Sequence, residues 1–298
     1  MDELMTAAQT FVIGTGSDQL AIRRMGYGAM QLTGDGVWGM PADIANAITV
    51  LRAAVEGGVN FIDTADAYGP HTNEELIRQA LHPYDGVIVA TKGGLVRTGP
   101  GQWHVVGRPM YLRQCVEMSL RRLGMECIPL WQLHRVDSEV ALEDQIGELA
   151  ALQAEGKIAH IGLSEVDVPT LEAANAITKI ASVQNRYNVL STGSQEVLNY
   201  CEQNSIAFIP WFPLKNNELA GGANTDVEQR VVAFETIAAR VQTSVAQLAL
   251  AWLMHKSDCV VPIPGTKSLA HLQENLGARD LVLEDSVMHE LDALGRPD

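Results

Sequence analysis

The chain has 298 residues, 47% of them hydrophobic and 19% charged, with a formal net charge of −15. The acids are dispersed and no block of Lys and Arg answers them, which argues against a nucleic-acid binder. The longest apolar stretch, Val245 to Met254, is broken by Gln247 and falls far short of the roughly 20 residues a membrane span needs.

Short β-branched runs alternate with helical patterns, the rhythm of a parallel sheet with covering helices. A hairpin is expected near 11–24, then a first strand at 25–30. Residues 43–57 read as a helix with Ile44, Ile48, Leu51 and Val55 on one face. Strand 59–62 precedes helix 73–81, with Thr72 or Asn73 as its cap. Strand 87–91 follows, and Pro109 opens a helix to about residue 123. Strand 128–133 leads to helix 139–155, ended by Gly156. The fifth strand is 158–163, and Asp167 caps helix 168–178. Strand 181–184, helix 194–204 and strand 206–211 come next, then a long loop at 212–225. Helices 227–240 and 243–255 precede the eighth strand, 259–263. Helices 268–277 and 284–294 complete the chain.

Eight strands, each followed by a helix, count out a single α/β domain over 1–298: a (β/α)8 barrel with an amino-terminal hairpin and extra helices near the carboxyl terminus. A doubly wound sheet needs fewer repeats, and no Pro/Gly/Ser linker divides the chain. Barrel enzymes place their chemistry at the carboxyl ends of the strands. Asp63, Lys92, His134, Ser164, Gln184 and Trp211 all fall there.

Tyr68 lies five residues beyond Asp63 in Asp-Thr-Ala-Asp-Ala-Tyr-Gly. A phenol with its ordinary pKa near 10 yields protons reluctantly at neutral pH. The Lys92 ammonium is expected to lower that value, Asp63 to hold Lys92 charged, and His134 to bond the substrate oxygen or relay a proton. Each residue has a packing role as its alternative; together at a barrel mouth they form an acid/base kit.

Other chemistries lack their signatures. Gly14-Thr15-Gly16 and Gly26-Tyr27-Gly28 are each followed by glutamine, Gln19 and Gln31, where a dinucleotide fingerprint has its third glycine. There is no HEXXH, P-loop or GxSxG, and no metal site is expected. Cysteines 115, 127, 201 and 259 make no CxxC pair and read as small buried residues in a reducing compartment. The acidic start, Met1-Asp2-Glu3-Leu4, lacks a signal-peptide core, so a cytoplasmic protein is expected. The turn Gly265-Thr266-Lys267-Ser268 opens a helix. It suits either a bound phosphate or simply a capped helix with a solvated lysine.

These motifs together resemble the aldo-keto reductase superfamily. The match runs in order through Gly26-Tyr27-Gly28-Ala29-Met30, Phe61 to Gly69, Thr91-Lys92, Gln132-Leu133-His134, Gly156 to Ser164, Gln184 to Asn188 and Ile263 to Ser268. The resemblance implies NADPH-dependent reduction of a carbonyl, bound across the barrel mouth without a doubly wound nucleotide domain. Tyr68 would be the general acid, with Lys92, Asp63 and His134 around it. Ser164, Gln184 and Glu165 (where the family usually has Asn) would hold the nicotinamide carboxamide. Trp211 would stack on its ring, replacing the usual tyrosine. Gly28, Ala29, Met30, Phe212, Pro213, Leu214 and Lys215 would line the path of the dinucleotide. Ile263, Gly265, Thr266, Lys267 and Ser268 would meet its phosphate end, and His271, Glu274 and Asn275 its adenine.

The likeness is greatest to the bacterial pyridoxal reductase type, which makes pyridoxal one candidate substrate. Gln31, Trp38 and Trp103 are pocket walls or loop packing. A small-molecule carbonyl or alcohol is the expected partner, with the chain a monomer or weak homo-oligomer and neither nucleic acid nor membrane involved. A cofactor-binding regulatory subunit with little turnover is the alternative function.

Overall fold

A computed structural model describes residues 10–14, 19–212 and 225–297. β1 (Thr10–Ile13) and β2 (Leu20–Arg23) pair antiparallel as the expected hairpin. Strands and helices then alternate: β3 (Tyr27–Gly28), α1 (Ile44–Glu56), β4 (Phe61–Asp63), α2 (Thr72–Leu81) and β5 (Ile88–Gly93). After β6 (Leu95–Gly99) and β7 (Gln102–Val105) come α3 (Pro109–Leu123), β8 (Ile128–Leu133), α4 (Leu142–Ala154), β9 (Ile158–Ser164) and α5 (Val168–Ile177). β10 (Ile180–Gln184), α6 (Gln195–Gln203), β11 (Ala207–Phe208), α7 (Thr225–Arg240), α8 (Val245–Lys256), α9 (Leu269–Gly277) and α10 (Asp285–Asp292) complete the order.

Seven strands lie side by side in the order β11-β10-β9-β8-β5-β4-β3, every neighbour parallel. Residues 259–263 close the ring. Phe208 N donates to the Cys259 carbonyl and Val261 N to the Phe208 carbonyl, both at 2.8 Å, while Gly26 N donates to the Pro262 carbonyl at 2.9 Å. The eighth member of the barrel is therefore present, held by a single bridge to Phe208 rather than as a regular strand. Glycine is required at this seam. A Cβ on Gly265 would sit 2.4 Å from the Gly28 carbonyl oxygen, far inside contact distance.

The barrel interior is apolar at its base. Phe61, Ala90, Leu130, Ala181, Ala207 and Val261 pack there with Ile13 and Ile22, so the hairpin plugs the amino-terminal end. Larger clusters fill the space between sheet and helices, one led by Trp131, Trp252 and Tyr187, the other by Leu51, Ile62 and Leu76. No helix among the described residues is long and apolar enough to cross a membrane. Cys115, Cys201 and Cys259 are buried as expected, but Cys127 is exposed; none forms a disulfide.

Two local departures shape the site. The expected cap of α2 is missing: His71, at φ 74°, precedes the helix, and no side chain caps it. Asn73 instead turns inward, accepting from Thr64 Oγ1 at 2.6 Å and donating to the carbonyls of Ala29 and Leu32 at 3.0 and 3.1 Å. Buried carbonyls beside β3 have no water to turn to, so they claim the amide. The β6–β7 hairpin, absent from the sequence reading, stands over the barrel mouth. Every residue of β7 is exposed, so it carries no apolar alternation to read.

Candidate active site

Side chains alternate in and out along a strand. Two residues beyond the interior Phe61, Ala90 and Leu130 stand Asp63, Lys92 and Gln132, and His134 follows two later. The barrel thus changes from apolar to polar one layer below its mouth. Lys92 Nζ donates to Asp63 Oδ1 at 2.6 Å, to the Thr64 carbonyl at 2.8 Å and to Tyr68 Oη at 3.4 Å. The other carboxylate oxygen of Asp63 accepts from Gln132 and Gln184 amides at 3.0 and 2.9 Å. Tyr68 meets His134 edge to face, ring centres 5.8 Å apart. All four residues singled out from the sequence are brought together, and all are buried.

Burial is the largest influence on Tyr68 and pushes its phenol up. The Lys92 ammonium pulls it down by less, so the net direction is above the ordinary value. Desolvation, which no local stretch of sequence carries, outweighs the ammonium, so the phenol is raised rather than lowered as expected. Burial also works against the Lys92 charge, but Asp63 outweighs it and the ammonium is held up. Burial, then the charges of Lys92, Arg135 and Arg97, hold His134 well below its ordinary value, so the imidazole is neutral at pH 7. Its Nδ1 is buried with no hydrogen-bond partner among the described residues.

A cavity of about 550 Å³ opens onto these groups. Gly28, Met30, Gln31, Trp103, Ser164, Gln184, Trp211, Phe212, Ile263 and Gly265, all picked out by sequence, line it. A second cavity of about 520 Å³ reaches Thr266, just before α9, and His271, Glu274 and Asn275 along that helix, and shares Gln31 and Gly265 with the first. The two form one long groove across the mouth. Both ends mix apolar walls with polar groups, Trp103, Trp211 and Phe212 beside His134 and Gln184 at one and Phe234 and Leu190 beside His271 and Asn275 at the other, and the length of the groove fits an extended dinucleotide.

Some expected residues lie off this groove. Ala29 packs in the apolar cluster behind β3, and Trp38 is exposed at the edge of the loop before α1, lining neither cavity. Glu165, at φ 55°, also lines neither cavity. Its carboxylate accepts from Arg186 N at 2.7 Å and from the Trp211 indole N–H. Lys267 is exposed, and its carbonyl accepts from Asn46 at 2.9 Å; Ser268 caps α9. Pro213, Leu214 and Lys215 lie outside the described residues.

Sequence reasoning passed over Arg135, Leu95 and Val105, which line the first cavity. It also missed Arg97, whose guanidinium donates to the carbonyls of Gly36, Val37, Ala67 and Gln102. Gln132, on β8 two residues before His134, follows from the same alternation. Among the described residues no group of His, Cys, Asp and Glu is placed to hold a metal ion.

A closed parallel barrel with a buried acid/base network at the carboxyl ends of its strands has the architecture of a barrel enzyme. Comparison with known proteins narrows the class. Residues 24–296 match the model of the Aldo/keto reductase family. An uncharacterized oxidoreductase of Schizosaccharomyces pombe is 46% identical over 93% of this chain and 88% of its own length. The pyridoxine 4-dehydrogenase of Escherichia coli K12 is 37% identical over 97% of this chain and 99% of its own length. A solved aldo/keto reductase from Klebsiella pneumoniae, in complex with NADP and acetate, superposes with a TM-score of 0.77 at 27% identity, covering 97% of this chain and 96% of that one. The chain belongs to the aldo/keto reductase family and is an oxidoreductase.

Proposed function

We propose that this protein catalyses the reversible, NADPH-dependent reduction of an aldehyde or ketone, with Tyr68 as the proton donor. The observation that carries this reading is the chain of contacts from Asp63 through Lys92 to the Tyr68 hydroxyl, which ends in the cavity wall. NADP(H) is the family's cofactor, and the groove fits it; when bound, its nicotinamide supplies the hydride.

The protein's own residues handle the proton. A phenol whose pKa is raised by burial keeps its proton throughout the neutral range, as a donor must. As the proton leaves for the carbonyl oxygen, the Lys92 ammonium beside Tyr68 Oη stabilises the phenolate, and Asp63 keeps that ammonium charged. Neutral His134 donates a hydrogen bond to the same oxygen without competing for the proton. Ser164, Gln184 and Trp211 hold and stack the nicotinamide end, while Thr266, His271, Glu274 and Asn275 serve the phosphate and adenine end, which Lys267 and Ser268, off the groove beside Thr266, would have to reach from outside it. Pyridoxal is one candidate substrate, since the Escherichia coli relative is named for pyridoxine oxidation. We place the enzyme in the cytoplasm, where its four cysteines stay reduced.

The test is Tyr68→Phe, assayed by NADPH oxidation against a panel of aldehydes that includes pyridoxal. Turnover is expected to fall about 10²–10⁴-fold with NADPH affinity nearly unchanged. Retained turnover would remove Tyr68 from the chemistry. Equal loss of both would make it a structural residue.

A further inference from the structure

We infer that Arg135 fits this site to aldehydes or ketones that also carry a carboxylate. This rests on the reductase reading above and specifies its substrate class. Arg135 follows His134 at the end of β8 and lines the same cavity as Tyr68 and His134. Among the described residues only two charged side chains line that cavity, Asp63 and Arg135. Asp63 is fully engaged by Lys92, Gln132 and Gln184. Arg135 is not. Its Nη1 donates to the His134 carbonyl at 2.6 Å and to Ser164 Oγ at 3.0 Å. The other edge of the guanidinium, Nε and Nη2, makes no hydrogen bond to the described residues and is not sealed from the cavity.

Burial disfavours this cation, and the nearby Glu165 and Tyr68 only partly offset that; the Glu165 carboxylate itself is bonded to Arg186 N and the Trp211 indole. A half-buried guanidinium with one edge unpaired needs a partner, and its planar fork matches the two oxygens of a carboxylate. Among the described residues, the other basic groups around Tyr68 do not compete. Lys92 is tied to Asp63, His134 is neutral, and Arg97 lies behind Trp103. Arg135 lines the cavity that holds Tyr68 and His134 and not the cavity at α9 assigned to the cofactor's phosphate end. A carbonyl oxygen at Tyr68 and His134 and a carboxylate at Arg135 fix such a substrate at two points.

The test compares aldehydes matched in shape: 4-oxobutanoate against 4-oxobutanamide, and 4-formylbenzoate against 4-formylbenzamide, with the full chain and NADPH. In the wild type, kcat/KM is expected to favour the carboxylate of at least one pair by about tenfold or more. In Arg135→Met that ratio should fall to about one, and in Arg135→Lys it should lie between, because an ammonium lacks the fork. A ratio unchanged by Arg135→Met, or a wild type with no preference in either pair, overturns the assignment. NADPH affinity of each variant is read by fluorescence, so that a disturbance at Ser164 is not taken for a substrate effect. If none of the four aldehydes is reduced, the wider aldehyde panel decides the reductase reading, which fails on its own account only if nothing in that panel is reduced either. The anion site is then judged by binding of butanoate and benzoate to the NADPH-loaded protein. Binding about tenfold weaker in Arg135→Met upholds it, and equal binding overturns it.

Discussion

The guanidinium of Arg97 lies against the face of Trp103, 3.5 Å from the ring centre. The other side of that indole is the wall of the cavity, meeting Tyr68 and His134 with ring centres 6.4 Å away in each case. Arg97 also ties the β6–β7 hairpin to the loop before α1 and to the carbonyl of Ala67, beside Tyr68. One side chain therefore links an inserted hairpin to the backbone beside the Tyr68 phenol.

Replacing Arg97 with Met should leave those carbonyls without their donor and free Trp103 to move. The expected outcome is a loss of about 1–3 kcal/mol in urea unfolding. KM should rise several-fold with a smaller change in kcat. An unaltered KM and near-ultraviolet circular dichroism would mean that Tyr68 and His134 alone hold the indole.

The Asp63–Lys92 pair is buried on both sides. Removing one partner strands the other, which typically costs about 3–5 kcal/mol. Asp63→Asn and Lys92→Met are each expected to destabilise by that order. The double variant should lose clearly less than the sum, since neither charge is then left alone. Additive losses in equilibrium denaturation would show that the two residues are held independently.

The pH profile follows from the directions of the shifts. His134 is held well below its ordinary value and Tyr68 above its own. For reduction, kcat/KM should therefore show no limb from these groups between about pH 6.5 and 10. Lys92→Met removes the charge that pulls Tyr68 down, so any alkaline limb should move further up. A limb near neutrality assigned to His134 by NMR titration would contradict the neutral imidazole.

Asp66 offers a test of stability alone. Burial, then the Glu74 carboxylate, push it up to about 7. Between the unfolded value near 3.9 and that point, the native state keeps a proton that the unfolded chain has lost. Stability contributed by this site therefore falls as pH rises from about 4 to 7 and levels off above. Asp66→Asn should gain on the wild type across that interval, by on the order of a few kcal/mol, in denaturant melts at pH 5 and 8. A difference between variant and wild type that does not change with pH would refute the shift.

Much of the site was legible because it is written in local periodicity. The apolar runs ending at Asp63, Lys92 and His134 each read as a parallel strand, and the barrel rule put their ends at one mouth. Pro109 and Asp167 marked their helix starts for equally local reasons. What escaped depends on partners distant in the chain. Asn73 looks like a cap until the carbonyls of Ala29 and Leu32 claim it. The β7 strand is fully exposed, and Arg97 is an ordinary surface residue until five carbonyls surround it.

The amino-acid sequence by itself determined the alternation of strands and helices and the residue types at the strand ends, because side-chain period and turn chemistry act over a few neighbours. Only the tertiary structure decided that the Tyr68 phenol rises rather than falls, that His134 stays neutral, and that the described residues leave one edge of Arg135 open. Those outcomes depend on how much water the closed barrel excludes and which charges it packs together, quantities no stretch of chain carries alone.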